Sequence, residues 1–220
     1  MTRILLASAS PRRRELLSLL GFPFETTVSD VDESPAAGEE PAALVTRLSL
    51  AKARAACNMA TAHTDAPDVV VACDTIVALD GTVLGKPHDE QDALDMLRRL
   101  RARAHTVYSA LALVSPTRGR VATSLVETVV VMRDYTAEEI ARYIASGDPF
   151  DKAGAYAIQH GWFRPVARLR GCYANVMGLP LCHLAQHLRD WDIEVPHEPS
   201  TACQNHTGHI CHTFQTVLHR

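Results

Sequence analysis

A chain of 220 residues, 47% of them apolar, can fill the core of one ordinary domain or of two compact lobes. A formal net charge of −3 leaves no basic surplus for a nucleic-acid duplex, and no apolar run approaches the roughly 20 residues of a membrane span or a secretory signal core. A soluble cytoplasmic protein that binds neither nucleic acid nor membrane is expected, and its six cysteines, with no Cys-x-x-Cys pair, read as core residues or free thiols in a reducing compartment.

Residues 4–8 read as a buried strand running into a helix that starts near Pro11. Ser10 suits the N-cap, Pro11 the first helical position, and Leu16, Leu19 and Leu20 follow at helical spacing. That start sets Arg12, Arg13 and Arg14 against the positive end of the helix dipole, where each cation costs about 0.3–1 kcal/mol, partly offset by Glu15. Such a conflict calls for an anion. A strand over 24–28 and a loop over 35–41 come next, then a helix from Pro41 with Leu44, Leu48, Ala51 and Ala55 in its apolar stripe and Lys52 beside it. The β-branched run 68–73 is typical of a strand covered on both faces, and Asp74 and Thr75 are expected at its end.

Asp80-Gly81 predicts a tight hairpin joining 76–79 to 82–84. Ala93, Met96, Leu97 and Leu100 mark a helix, and the β-rich runs 106–114 and 121–132 are predicted to pair antiparallel across SPTRGR. Thr136 and Glu139 form a capping box ahead of Ile140, Tyr143 and Ile144, with Gly147 as the stop. Leu181, Leu184, Ala185 and Leu188 describe a last helix. From 196 to 220 periodicity gives way to a stretch rich in His, Thr and Cys, expected to be unstructured. Cys203, His206, His209, Cys211 and His212 there have zinc-like spacings, but a metal-free terminus is the reading adopted. Helices mixed with parallel-type and antiparallel-type strands indicate an α/β or α+β domain over 1–195.

Several charged residues sit uneasily as surface groups: the arginines, Glu33, Asp74, Lys86, Asp151 and Lys152. A triphosphate carries close to four negative charges and needs several cations, with a metal, to neutralise its transferring oxygens. Ser8 and Ser10, the backbone N–H groups at the helix start, Arg12, Arg13, Lys52 and Lys86 supply such parts, while Glu33 and Asp74 suit a hard divalent ion or a water aimed at phosphorus.

The ordered blocks ASASPRRREL, SDVDES, LAKARA, ACDTIV, LGKP, ASGDPFDKAGAYAIQ and NVMGLPL, spread from about Ile4 to Leu188, closely resemble the Maf (septum-formation inhibitor homologue) nucleotide pyrophosphatases. The resemblance implies an inosine-triphosphatase-like α/β fold, an elongated curved sheet whose two lobes enclose a nucleotide cleft. It also implies a homodimer, a divalent metal such as Mg²⁺ or Mn²⁺, and hydrolysis of a nucleoside triphosphate to the monophosphate plus pyrophosphate by water attacking the α-phosphorus. Carried over position by position, Asp74 matches the proton-accepting aspartate, Ser8, Arg13, Glu33, Lys52 and Lys86 match the lining of the phosphate and metal site, and Arg12, Thr75 and Gln159 match the positions associated with substrate choice.

The set Arg, Thr, Gln is that of the branch similar to dTTP/UTP pyrophosphatases, and a Gln amide suits the O4 and N3–H edge of uracil or thymine. One departure stands out. The segment after Gln159 reads HGWFRPVARLRGCYANV where the family is glycine-rich, so that Trp162 and Phe163 either reshape the base pocket or pack into the core. Alternatives in view are a broad-range or 7-methyl-GTP pyrophosphatase, and a non-catalytic regulatory protein acting on cell division.

Overall fold

The antiparallel pair expected between residues 106 and 132 forms the spine of the molecule, a computed structural model of which describes residues 2–61 and 66–218. Strands β1 (Ile4–Ala7), β2 (Phe24–Thr27), β3 (Val69–Leu79), β4 (Thr82–Leu84), β5 (Ala104–Ser115), β6 (Arg120–Met132) and β7 (Val166–Arg170) make one seven-stranded sheet. Its order is β2-β1-β3-β5-β6-β7, with β4 paired to β3. The first three strands in that order run parallel and the rest antiparallel. Helices α1 (Pro11–Ser18), α2 (Pro41–Thr61), α3 (Glu90–Leu100), α4 (Ala137–Ala145), α5 (Tyr173–Met177), α6 (Leu181–Asp190), α7 (Pro199–Thr207) and α8 (Thr213–Leu218) flank it. The mixed α/β class expected from the sequence is therefore the one observed.

Alternation along β3 assigns the helices to their faces. Val70 and Ala72 pack with Ala53, Ala56 and Cys57 of α2, and Ile76 packs with Val45 of the same helix. On the opposite face Val69, Val71 and Cys73 join Leu16 and Leu17 of α1 and Leu184 and Leu188 of α6, whereas Val77 and Leu79 join Leu97 of α3 and Ile140 and Tyr143 of α4. Two apolar cores thus lie side by side on one face of the same sheet.

The strand pairing leaves a break between them. β5 occupies one edge of β3 from Val70 to Ala78. On the other edge β1 covers Val69–Val71 and β4 covers Val77–Leu79, so residues 72–76 carry no strand on that side. A short strand ending at Ala7 and a hairpin set by Asp80-Gly81, with Gly81 at φ 76°, together create this gap.

Three local expectations change. Asp74 was expected at a strand end but lies inside β3, because the β-prone Thr75, Ile76 and Val77 continue the ladder with β5. Ser10 occupies the N-cap position of α1 without a side-chain capping bond; its backbone N–H instead donates to Ser8 Oγ at 3.2 Å. The tail from 196, expected to be unstructured, carries α7 and α8. Cys203 is buried in the α1/α6 core, Thr213 Oγ1 donates to the Gly171 carbonyl at 2.9 Å, and Gly208 at φ 65° ends α7. Helices this short that bury so few side chains leave no periodic trace, and the last two positions of that tail lie outside the described residues. The capping box at Thr136 and Glu139 is present in full.

Candidate active site

The cleft opens at the break in the β3 edge, where the end of β1, the start of α1, the 28–33 loop and the 151–159 segment meet. Ser8, Arg12, Arg13, Glu33, Lys52, Thr75, Lys86 and Gln159 all line it, so residues spread over 150 positions of sequence are brought together. The other expected residue, Asp74, lies immediately beneath, 7% exposed and roofed by Lys52.

The arginines at the start of α1 find their partners across the cleft. Arg13 donates from Nε to the Gly178 carbonyl at 2.9 Å, from Nη1 to Ser8 Oγ at 3.3 Å and from Nη2 to Thr75 Oγ1 at 3.1 Å. Three of its five N–H donors are thus engaged by neutral oxygens, which fix its plane without cancelling its charge. Gly178 sits at φ 113°, and a Cβ there would meet Arg13 Nε at 3.4 Å, so a glycine permits this approach. Arg12 pairs with Asp151 at 3.0 Å. Burial raises the Asp151 pKa, but the Lys152 hydrogen bond and the Arg12 charge outweigh it and hold the carboxyl below its usual range. Arg14 is exposed.

Below the arginines, two carboxylates converge on one ammonium: Lys52 Nζ lies 2.5 Å from Asp74 Oδ1 and 2.9 Å from Glu33 Oε1. Lys52 comes from α2, on the sheet face that Asp74 shares with Ala72 and Ile76. Glu33 arrives on a loop pinned to α2 by Arg47, which grips Glu39 through two 2.7 Å bonds and the Ser34 carbonyl at 3.0 Å. That bidentate grip holds the Glu39 carboxyl down at about 2.

Apolar side chains line the cleft as well, Val77, Val107, Val176 and Met177 among them, together with Tyr156 and the Gln159 amide. The lining thus combines cationic, carboxylate, amide and apolar groups, chemistry suited to a polyanion joined to a flat heterocycle.

Trp162 and Phe163 do not line this cleft. Phe163 is fully buried, stacked on Tyr143 at 4.3 Å between ring centroids, and Trp162 lies under the Arg142 guanidinium, 4.3 Å from its ring centroid. Of the two roles open to them, Phe163 takes the core one, while Trp162 stays exposed against Arg142 and takes neither. Sequence reading missed Ser109, Asn175, Gly178 and Tyr156. The only signals were a polar residue inside the apolar run of β5 and the place of the others within the motif blocks.

The donor chemistry of the two carboxylates bears on a divalent ion. Both already face a single cationic atom, and a magnesium-type ion is commonly held by one or two carboxylates with substrate phosphates completing its shell. Glu33 and Asp74 therefore fit such an ion. A closed cage is a different matter: among the described residues no group of three His, Cys, Asp or Glu side chains is arranged to hold a metal, the tail cysteines and histidines included.

These features define a class, an α/β protein whose sheet, open along one edge of β3, builds a cleft lined by cationic side chains over paired carboxylates. The family model described as Maf-like protein matches residues 3–191, and the chain belongs to that family. A protein of Geobacter sulfurreducens named dTTP/UTP pyrophosphatase is 46% identical over 187 residues, 85% of this chain and 95% of the relative. One of Moorella thermoacetica with the same name is 45% identical over 195 residues, 89% of this chain and 98% of the relative. Among solved structures, the Staphylococcus aureus Ham1 protein overlaps 60% of this chain and 73% of its own at a TM-score of 0.41 and 15% identity, a level that carries no argument here. The fold class rests on the sheet itself.

Proposed function

We propose that this protein hydrolyses nucleoside triphosphates, dTTP and UTP foremost, to the monophosphate and pyrophosphate. The observation that carries the reading is the meeting of Ser8, Arg12, Arg13, Lys52 and Lys86 with the Glu33 and Asp74 carboxylates in one cleft. The names of relatives that share more than four-tenths of its residues support it.

In this reading Arg12, Arg13 and Lys86 hold the phosphate chain, whose charge offsets their own clustering and resolves the conflict at the start of α1. Phosphate oxygens draw Lys52 upward, and Asp74, freed of its ammonium, accepts the proton of a water directed at the α-phosphorus. A divalent cation at Glu33 and Asp74 would supply further neutralisation of the phosphate oxygens. The base rests on Val77, Val107 and Val176 and meets the Gln159 amide. A homodimer in the cytoplasm accompanies this reading, and gel filtration tests the dimer. No helix among the described residues is long and apolar enough to cross a membrane.

The test is pyrophosphate release from dTTP, UTP, CTP, 7-methyl-GTP and ITP with Mg²⁺ or Mn²⁺, comparing wild type with Asp74→Asn. Loss of a proton acceptor should lower turnover by at least about 10²-fold while nucleotide binding persists. Turnover of every triphosphate unchanged in Asp74→Asn would overturn the mechanism. Absence of turnover in wild type would favour a binding role instead.

A further inference from the structure

Four hydroxyl, amide and guanidinium groups form a continuous chain from the cleft into the core. Arg13 Nη2 lies 3.1 Å from Thr75 Oγ1, Thr75 Oγ1 lies 2.8 Å from Ser109 Oγ, and Ser109 Oγ lies 3.0 Å from the backbone carbonyl oxygen of Asn175. Thr75 and Ser109 are direct cross-strand partners on β3 and β5, which holds the two hydroxyls on one face. Asn175 is locked in turn, donating from Nδ2 to Thr128 Oγ1 at 2.9 Å and to the Val107 carbonyl at 3.2 Å.

The direction of this chain is decided at its ends. A carbonyl only accepts, so Ser109, fully buried, spends its single proton on Asn175. Ser109 Oγ must then accept from Thr75, and Thr75 spends its own single proton on Ser109. A guanidinium only donates, so the bond from Arg13 agrees with this assignment. Another candidate for the Thr75 proton among the described residues, the Cys73 sulfur two residues back on the same strand face, is a neutral thiol pushed up to about 11 by burial, and it donates to the Asp74 carbonyl. What remains of Thr75 toward the cleft is an oxygen lone pair.

We infer that Ser109 is a positioning residue for substrate selection: by taking the Thr75 proton it makes Thr75 an acceptor only, so this point of the cleft selects a nucleotide that offers a hydrogen-bond donor there. The inference rests on the nucleotide reading above and deepens it. Thr75 bonds Arg13 and is followed two residues on, on the same strand face, by the apolar cleft residue Val77, so the donor is either the base N3–H, present in uracil and thymine and replaced by an acceptor in cytosine, or a sugar hydroxyl. Phosphate oxygens, which only accept, are turned away from Thr75 toward Arg13.

Two nucleotide pairs separate the sources. UTP against CTP reads the base donor, and dTTP against its 3′-deoxy analogue reads the sugar hydroxyl. Dissociation constants for non-hydrolysable forms of all four, measured calorimetrically with wild type, Ser109→Ala, Thr75→Val and the double variant, are independent of turnover. In wild type one pair should differ about tenfold or more in favour of the donor-bearing member. In Ser109→Ala, where Thr75 regains a free proton, that ratio should fall toward unity, and adding Ser109→Ala to Thr75→Val should change it no further. A purely structural role would weaken all nucleotides together, and melting temperatures of each variant show whether the fold persists. If Ser109→Ala does not fold, Thr75→Val alone must abolish the ratio. Equal binding within both pairs in wild type, or a wild-type ratio in Ser109→Ala, overturns the inference. Intact binding preferences without hydrolysis overturn only the pyrophosphatase reading, and absence of nucleotide binding overturns both.

Discussion

His105 makes stability depend on pH in a window that can be worked out. The ring sits on β5, 4% exposed, with Nε2 2.8 Å from the hydroxyl of Tyr156, a cleft residue, and with Nδ1 lacking a hydrogen-bond partner among the described residues. Burial pushes its pKa down from 6.5 to about 4. At 1.36 kcal/mol per pKa unit this gap corresponds to about 3 kcal/mol. The folded pKa is the lower one, so between these values the unfolded chain takes up a proton that the folded chain refuses. The contribution of the neutral ring is thus complete above pH 6.5, drains as the pH falls toward 4, and changes no further below that. Urea unfolding of wild type and His105→Gln at pH 7 and pH 4 isolates it, since all other titrating groups are common to both. The wild type should lose about 3 kcal/mol more than the variant over that interval. Equal losses would refute the assignment of a neutral, buried ring.

Gln159→Glu replaces an amide donor with a carboxylate and should weaken uracil and thymine nucleotides by about 1–3 kcal/mol, read as a change in their kcat/KM relative to CTP. Unchanged selectivity would remove Gln159 from base reading. Deletion of residues 196–220 uncovers Cys172, Leu181 and Cys182, which pack beside Cys203 and Phe214. It should lower Tm by several degrees, as expected for a loss of roughly 1–3 kcal/mol in a domain of this size, whereas an unchanged Tm would mean that α7 and α8 contribute nothing. Thr136→Ala removes one half of the capping box and should cost about 1 kcal/mol in a chemical melt, with turnover unaffected.

Much of the fold was legible because local chemistry set it. Asp80-Gly81 made the β3–β4 hairpin, Thr136 and Glu139 opened α4, and the β-branched run before Asp74 became a strand buried on both faces. Each of these signals acts within a few residues, through turn geometry, capping or side-chain period. The clustering of Arg12 and Arg13 at a helix start likewise singled out two residues that line the cleft, since the dipole penalty is a property of neighbouring positions.

What only the tertiary structure decided is everything that depends on groups far apart in the chain. That β1 stops at Ala7 and β4 ends at Leu84 is local, but the open edge over residues 72–76 exists only because both strands pair with the same side of β3. Asp74 was singled out as a strand terminus and proved to lie inside one, with its carboxylate under Lys52, an arrangement set by α2 crossing the sheet face toward which Asp74 points. The proton direction from Thr75 through Ser109 to Asn175 joins three elements separated by dozens of residues, and the packing of Trp162 and Phe163 away from the cleft follows from an aromatic cluster with Tyr143. Hydrogen-bond direction, burial and charge pairing are set by what lies across space, so the residues of this site could be named from the sequence while their working arrangement came from the fold.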